Sequence, residues 1–278
     1  MPTRDPADPV DSGPTALDLD AIRVGLEAAV EAAAEAIREV IEGQVVHVAQ
    51  KYREGPVTDA DHAADDVLHR LLMPLIDGAQ WLSEESKQDA PLLHGEPTWV
   101  VDPLDGTREF LRGIPEFGVS VGLFVDDALV LGAVALPVQE QVMSGLVHGD
   151  RREARIDGRP LPALPDGGRI DRVVVSRHDY ERRQLQHHIP YEVYPCGSAA
   201  VKLAHAATGE ADVYFSTGPR SVWDVAGGAA VLEGAGGAVL TFDGEPLKLS
   251  PHQVPVPPYM AGAAPACLAF LRRLGAEV

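Results

Sequence analysis

The chain has 278 residues, 45% hydrophobic and 23% charged, which is enough apolar material for one large or two closely apposed globular domains and excludes a disordered chain. No run of about 18 apolar residues and no basic segment leading into an apolar one occurs, so neither a membrane span nor a secretory signal is expected. With 42 acidic against 23 basic residues the formal charge is -19, which excludes nucleic-acid backbones and anionic lipid surfaces as natural partners.

Residues 1–16 are rich in proline and acidic or small polar groups, without periodicity, and are expected to form a mobile arm. From Leu17 onward Ile22, Leu26, Val30, Ala33, Ile37 and Ile41 recur three or four residues apart and predict a helix stopped by Gly43. Val45 to Gln50 alternates as a strand, and Lys51 to Pro56 reads as a turn. A second helix is predicted from Asp59, with Ala64, Val67, Leu68, Leu71 and Leu75 on one face and Pro74 ending it. Trp81-Leu82 and Thr98 to Val101 are short strands, each running into carboxylates. Phe117 to Phe124 and Ala128 to Leu136 predict a hairpin across Asp126-Asp127, continued by a strand at Val142 to Val147.

The stretch Asp150 to Gly168, rich in Arg, Gly and Pro, suggests a boundary between an N-terminal α+β half, residues 17–150, and a C-terminal α/β half, residues 151–278. Beyond it come strands at Arg172 to Ser176 and Asp212 to Phe215. Helices are expected to open near Ser198 and at Asp224, and a last one covers Ala264 to Leu274. The two cysteines, Cys196 and Cys267, fit neither a disulfide framework nor a zinc knuckle and point to a reducing cytoplasm. The histidines lack HxH or HExxH spacing and read as surface or packing residues, with His187 and His188 on opposite faces of a strand.

The chemistry concentrates in Asp102-Pro103-Leu104-Asp105-Gly106-Thr107. A strand delivers Asp102 to a tight turn, Pro103 fixes the backbone, and Asp105 returns to the same cavity. Gly106 and Thr107 would open a helix whose free N–H groups favour a phosphate. Clustered hard oxygens suit Mg2+ or Mn2+ and not zinc. Further acids stand at Glu84-Glu85 and at Asp224. Alone, each has an ordinary structural reading: a surface turn for the Asp-Pro-x-Asp-Gly run, a solvated face for Glu84-Glu85, a capping box for Thr58 and Asp61, and an N-cap for Asp224.

Together, the Asp-Pro-x-Asp-Gly-Thr motif at 102–107, the Glu-Glu pair at 84–85, Trp-Asp-x-Ala-Gly at 223–227 and Thr-x-x-Asp at 58–61 resemble the inositol monophosphatase superfamily over residues 17–275. The resemblance implies a layered αβαβα sandwich of the inositol monophosphatase and fructose-bisphosphatase type, in the α/β (α+β) class. It implies a metal-dependent phosphomonoesterase that uses Mg2+, with Mn2+ as a substitute and Li+ and Ca2+ as inhibitors. Glu84, Asp102, the Leu104 carbonyl, Asp105 and Asp224 correspond to metal ligands. Asp61, Glu84 and Thr107 correspond to the catalytic set, in which Asp61 and Thr107 orient the attacking water.

Within the superfamily, Arg108-Glu109-Phe110, Val175-Ser176-Arg177-His178 and the spacing Gly218-Pro219-Arg220 are similar to 3'(2'),5'-bisphosphate nucleotidases. Ser216 and Thr217 stand where inositol monophosphatases supply a glutamate. Gly197-Ser198-Ala199-Ala200-Val201 and Trp223-Asp224-Val225-Ala226-Gly227 look more like the inositol monophosphatase versions. Gly106, Thr107, Ser176, Ser198, Lys202 and Arg220 are the expected substrate contacts, with Arg177 a further cation for a second phosphate. The favoured reading is hydrolysis of the 3'-phosphate of adenosine 3',5'-bisphosphate. The alternatives are an inositol-1-phosphatase or another sugar phosphatase, and, in another class, a non-catalytic metal- and nucleotide-binding sensor. The partner is a small phosphate ester, and a homodimer is compatible with the sequence.

Overall fold

Asp18 starts the first helix by accepting the Ala21 N–H at 3.1 Å. In the computed structural model, which describes residues 17–43, 47–51, 55–86 and 90–275, α1 then spans Leu19–Glu42 and ends at Gly43. The expected arm at 1–16, Val45 and Val46 of the expected strand, and part of the following turn lie outside the described residues. β1 (Val48–Lys51) pairs antiparallel with β2 (Gly55–Thr58), and α2 (Asp59–Leu72) follows at once. Pro74 sits in a single 3-10 turn, Met73–Leu75, where its missing N–H closes the helix.

β3 (Gln80–Ser83) pairs in parallel with β4 (Thr98–Asp105), and α3 (Thr107–Leu111) follows. β5 (Gly118–Val125) and β6 (Ala128–Leu136) form the expected hairpin. Asp126 and Asp127 take φ of 51° and 61°, the left-handed pair that a two-residue turn between twisted strands requires. β7 (Gln141–His148), β8 (Arg151–Ile156) and β9 (Arg159–Pro160) complete a seven-stranded sheet in the order β3-β4-β5-β6-β7-β8-β9. The expected division at residue 150 therefore falls inside this sheet. β8 pairs residue for residue with β7, and Arg23 of α1, 2% exposed, reaches Glu153 of β8 at 2.9 Å. Its arginines read as a linker, yet their aliphatic stems are compatible with a strand at a sheet margin.

The remaining chain supplies β10 (Arg172–Ser176), α4 (Arg177–Glu181), β11 (Glu192–Cys196), α5 (Ala199–Thr208), β12 (Val213–Ser216), β13 (Arg220–Ser221), α6 (Val222–Gly234), β14 (Ala238–Leu240), β15 (Pro255–Val256), β16 (Tyr259–Gly262) and α7 (Ala264–Leu274). Five of these strands form a second sheet in the order β11-β10-β12-β16-β14, while β13 pairs with β15. β11 escaped the sequence pattern because Pro195 interrupts it; as an edge strand it tolerates the missing donor. His187 and His188 belong to a 3-10 turn, so the expected strand alternation does not exist there. α6 opens at Val222, two residues before Asp224.

The layers are α1 and α2, the seven-stranded sheet, α5 and α6, the five-stranded sheet, and α7 with α4 outside. α6 is apolar around most of its circumference because it is enclosed by both sheets. A row of glycines lets it lie close. Gly122, Gly132 and Gly145 are register partners across β5, β6 and β7, and a Cβ on Gly145 would stand 2.0 Å from the Ala230 carbonyl oxygen. This approach sets the height at which the first turn of α6 meets the end of β4.

Candidate active site

β4 does not end in a tight turn at Asp102. It runs on to Asp105 through an irregularity in which Asp102 pairs with Ser120 and Asp105 with Gly118, one residue more on β4 than on β5. Pro103 occupies this bulge, where no ladder donor is needed. The Leu104 N–H turns back to Asp102 Oδ1 at 3.0 Å. Gly106 then takes φ of 101°, and a Cβ there would meet the Glu116 carbonyl oxygen at 2.8 Å, so the motif requires glycine on two counts. The helix that follows, α3, is five residues long.

Glu84 follows β3, its N–H donating to the Val101 carbonyl at 3.1 Å. Ser120 of β5 holds the start of α6 by donating to the Trp223 carbonyl at 2.8 Å. These two ties bring Glu84 and Asp224 to Asp102, with one oxygen of each carboxylate within 4.8 Å of the others. Burial, then the charges of Glu84 and Asp105, pushes the Asp102 carboxyl well above the usual range. Burial and Asp105 push that of Asp224 up to about 8. Acids held this close in low dielectric call for a cation, and an all-oxygen donor set fits a hard divalent metal. Asp105 stands beside them, its Oδ2 accepting from Ser198 Oγ at 2.6 Å and from the Ala200 N–H at 2.7 Å, which leaves Oδ1 for a cation.

Asp61 has a local partner on one carboxylate oxygen and a distant one on the other. It closes the capping box of α2, with Oδ2 accepting from the Thr58 N–H at 2.7 Å and the Thr58 hydroxyl at 2.6 Å. Its Oδ1 lies 3.3 Å from Thr107 Oγ1, which is also 3.2 Å from the Leu104 carbonyl oxygen. Burial raises the Asp61 carboxyl while the Thr58 and Thr107 hydrogen bonds oppose that rise. Asp224 is likewise the third residue of the α6 capping box, accepting the Ser221 N–H at 3.1 Å, and not the N-cap.

Glu84, Asp102, Leu104, Asp105, Thr107 and Asp224 line one cavity of about 1030 Å³. Gly106, Ser176 and Arg220 line it as well. The Inositol_P model, described as the inositol monophosphatase family, matches residues 18–269. The chain belongs to the inositol monophosphatase family. It is a phosphatase, of a family that depends on metal ions, and Glu84, Asp102 and Asp224 are acidic groups that could bind one.

Two curated relatives bracket the family's chemistry. The 3'(2'),5'-bisphosphate nucleotidase CysQ of Shigella flexneri is 34% identical over 80% of this chain and 91% of that protein. Inositol monophosphatase 3 of Solanum lycopersicum is 31% identical over 72% of this chain and 80% of that protein. The solved suhB protein of Bartonella henselae shares the fold, with a TM-score of 0.76 and 22% identity, covering 93% of this chain and all of that one.

In this phosphatase two of the expected substrate contacts have other work. Lys202 is fully buried, and its Nζ donates to the carbonyls of Cys196, Gly197 and Ser198 at 3.0, 2.9 and 2.6 Å. Three acceptors use all three ammonium protons, so it clamps the turn between β11 and α5 and has none left for a phosphate. Ser198, also fully buried, caps α5 and holds Asp105. Arg177 lines the cavity but is paired with Glu116 at 2.5 Å. The sequence reading missed Glu116, which also accepts the Gly197 N–H at 2.8 Å, and Asp179, which accepts from Thr217 at 2.8 Å. Glu116 directly precedes the strand predicted from Phe117 and Asp179 directly follows the 175–178 segment, but their partners Arg177, Gly197 and Thr217 reach them only in the fold.

Proposed function

We propose that this phosphatase removes the 3'-phosphate of a nucleoside 3',5'-bisphosphate, adenosine 3',5'-bisphosphate being the type substrate, with Mg2+ at the carboxylate cluster. The observation that carries the reading is the cationic rim of the cavity. Arg108, Arg112, Arg177, Arg182, Arg183 and Arg220 line it together with Glu109, Asp179 and Glu181, in a chain whose net charge is -19, and of these arginines Arg177 is paired with Glu116 and Arg183 with Asp179. A second phosphate on the substrate gives the planar guanidinium groups an anionic partner with paired acceptor oxygens, which the hydroxyls of inositol do not.

The features that favoured an inositol phosphate weigh less once placed in the fold. Ala199, Ala200 and Val225 are buried among core residues, and Ser198 serves Asp105. Glu109 and Phe110, on the nucleotidase side, are also buried, and a Cβ on Gly197 would overlap the Glu109 side chain at 2.1 Å. Arg108, Ser176, Arg177, His178 and Arg220, from the nucleotidase-like segments, line the cavity.

Bound by Glu84, Asp102, the Leu104 carbonyl, Asp105 and Asp224, Mg2+ would supply the positive charge that offsets the phosphate during in-line attack by water. The chain's own part is orientation. Asp61 fixes Thr107, the Thr107 hydroxyl and Glu84 orient the water, and the arginines hold the remote phosphate. Mn2+ would substitute, and Li+ and Ca2+ would inhibit. The intact set of Asp61, Glu84 and Thr107 favours turnover over a non-catalytic sensor. Two buried free thiols, Cys196 and Cys267, each pushed up to about 12 by burial, suit a reducing cytoplasm.

The test is a comparison of initial rates on adenosine 3',5'-bisphosphate and inositol 1-phosphate at saturating Mg2+. The bisphosphate is expected to be preferred by about tenfold or more in kcat/KM, the worth of one well-made polar contact. A preference for inositol 1-phosphate would overturn the substrate assignment.

A further inference from the structure

His94, Asp127 and His252 come from three separate connections at the end of β4 remote from Asp102. Asp127 closes the β5–β6 turn, His94 lies between β3 and β4, and His252 lies shortly before β15. Thr98, the first residue of β4, pairs with Phe124 near that turn, whereas Asp102 pairs with Ser120 farther along.

His94 Nδ1 is 2.8 Å from Asp127 Oδ2, and His252 Nε2 is 2.9 Å from Oδ1. One ligand atom from each residue lies within 4.8 Å of the other two. The rings face each other with centroids 3.8 Å apart and planes inclined by 33°. The His94 ring, the Gly95 N–H at 3.1 Å and the His252 ring hold the Asp127 carboxyl well below the usual carboxylate range.

We propose that His94, Asp127 and His252 form a binding site for one borderline transition-metal ion, Zn2+, Co2+ or Ni2+, distinct from the carboxylate cluster. Two imidazole nitrogens and one carboxylate oxygen match that class, while Mg2+ prefers oxygen alone. Metal–ligand bonds of about 2.0–2.1 Å in a tetrahedron put neighbouring donor atoms about 3.3 Å apart. The two nitrogens now approach different oxygens of Asp127, 2.8 Å to Oδ2 and 2.9 Å to Oδ1, so binding one ion would require the exposed His94 ring to turn away from the His252 ring that it stacks on. Each imidazole would bind in its neutral form, with the proton on the opposite ring nitrogen. The His94 side chain is 76% exposed, which leaves the outer side open for water as the fourth ligand.

Such an ion would staple segments 33 and 125 residues apart in sequence. One of them leads directly to Val254, whose carbonyl accepts the Val222 N–H at 2.8 Å and so meets the start of α6.

The test is equilibrium dialysis of the full chain against Zn2+ in saturating Mg2+, which fills the carboxylate cluster. One Zn2+ is expected per chain, bound about tenfold or more weakly in His94→Ala and in His252→Ala, and unchanged in Asp102→Asn. Co2+ in place of Zn2+ should give a visible ligand-field band that both histidine variants lose. Zn2+ at about a hundredfold excess over its Kd should raise Tm by roughly 5 °C in the parent and not in the variants. Equal Zn2+ binding by the parent and a His94→Ala/His252→Ala double variant would overturn the proposal. So would loss of the bound Zn2+ in Asp102→Asn.

Discussion

Ser198 Oγ donates to Asp105 Oδ2 at 2.6 Å, and the same serine accepts the Val201 N–H at 3.0 Å as the cap of α5. A carboxylate at the end of the first sheet is thereby aimed by the helix between the two sheets. Removing the hydroxyl leaves Asp105 with the Ala200 N–H alone at that oxygen, free to turn. Ser198→Ala should raise the Mg2+ concentration for half-maximal rate about tenfold, as expected for loss of a group that orients a ligand. A Mg2+ titration of the rate reads this directly, and an unchanged midpoint would deny Ser198 the positioning role.

Asp224 links activity and stability with opposite signs. Its folded carboxyl sits at about 8, against an ordinary value of 3.8, chiefly through burial. In metal-free protein the folded state therefore holds a proton that the unfolded state releases. The contribution of this group to stability is fully present below about pH 4 and is lost as pH rises toward about 8. Melting in EDTA across that range should show the decline, and saturating Mg2+ should flatten it. Asp224→Asn should abolish turnover and, in EDTA at pH 8, melt no lower than the parent. A metal-free Tm that climbs between pH 5 and 8 would contradict the charge-crowding account.

Thr107 Oγ1 lies 3.3 Å from Asp61 Oδ1, and in the proposed mechanism it orients the water more than it holds the substrate. Thr107→Ala should lower kcat by about a hundredfold with little change in KM, because the lost interaction belongs to the transition state. A raised KM at constant kcat would reassign the hydroxyl to binding.

Lys202 should behave as a structural clamp. Lys202→Met deprives three carbonyls of their donor at a buried turn, at a cost of about 3 kcal/mol, which lowers Tm by roughly 6 to 12 °C. Below that melting range KM for a bisphosphate should stay at the parent value. A large rise in KM without a change in Tm would restore Lys202 to the substrate site.

The chemistry of residues 102–107 was legible without a structure because two carboxylates, a glycine and a hydroxyl lie within one short run, but the bulge at Pro103 in place of the expected tight turn and the left-handed Gly106 appear only in the fold. Local signals also marked α1, α2 and α7, whose burial repeats with the helical period, and the β5–β6 hairpin, two apolar runs joined at Asp126-Asp127. The family resemblance rests on such runs taken together. The Thr58–Asp61 capping box is present, and the second oxygen of the same carboxylate is left to contact Thr107, so the local reading does not use up the side chain.

Partnership between distant segments was decided only by packing. Glu84 and Asp224 reach Asp102 because β3 lies beside β4 and glycine-lined strands admit α6. Lys202 and Ser198 turned inward because α5 is enclosed between two sheets, so groups that resemble phosphate contacts in sequence satisfy carbonyls and a carboxylate instead. β8 joined the first sheet despite its charge because Arg23 and β7 supply partners that no linker would have. His94 and His252 looked scattered for the same reason. Sequence periodicity reports which side of an element faces the interior, whereas the identity of the group opposite depends on which elements the whole chain brings together.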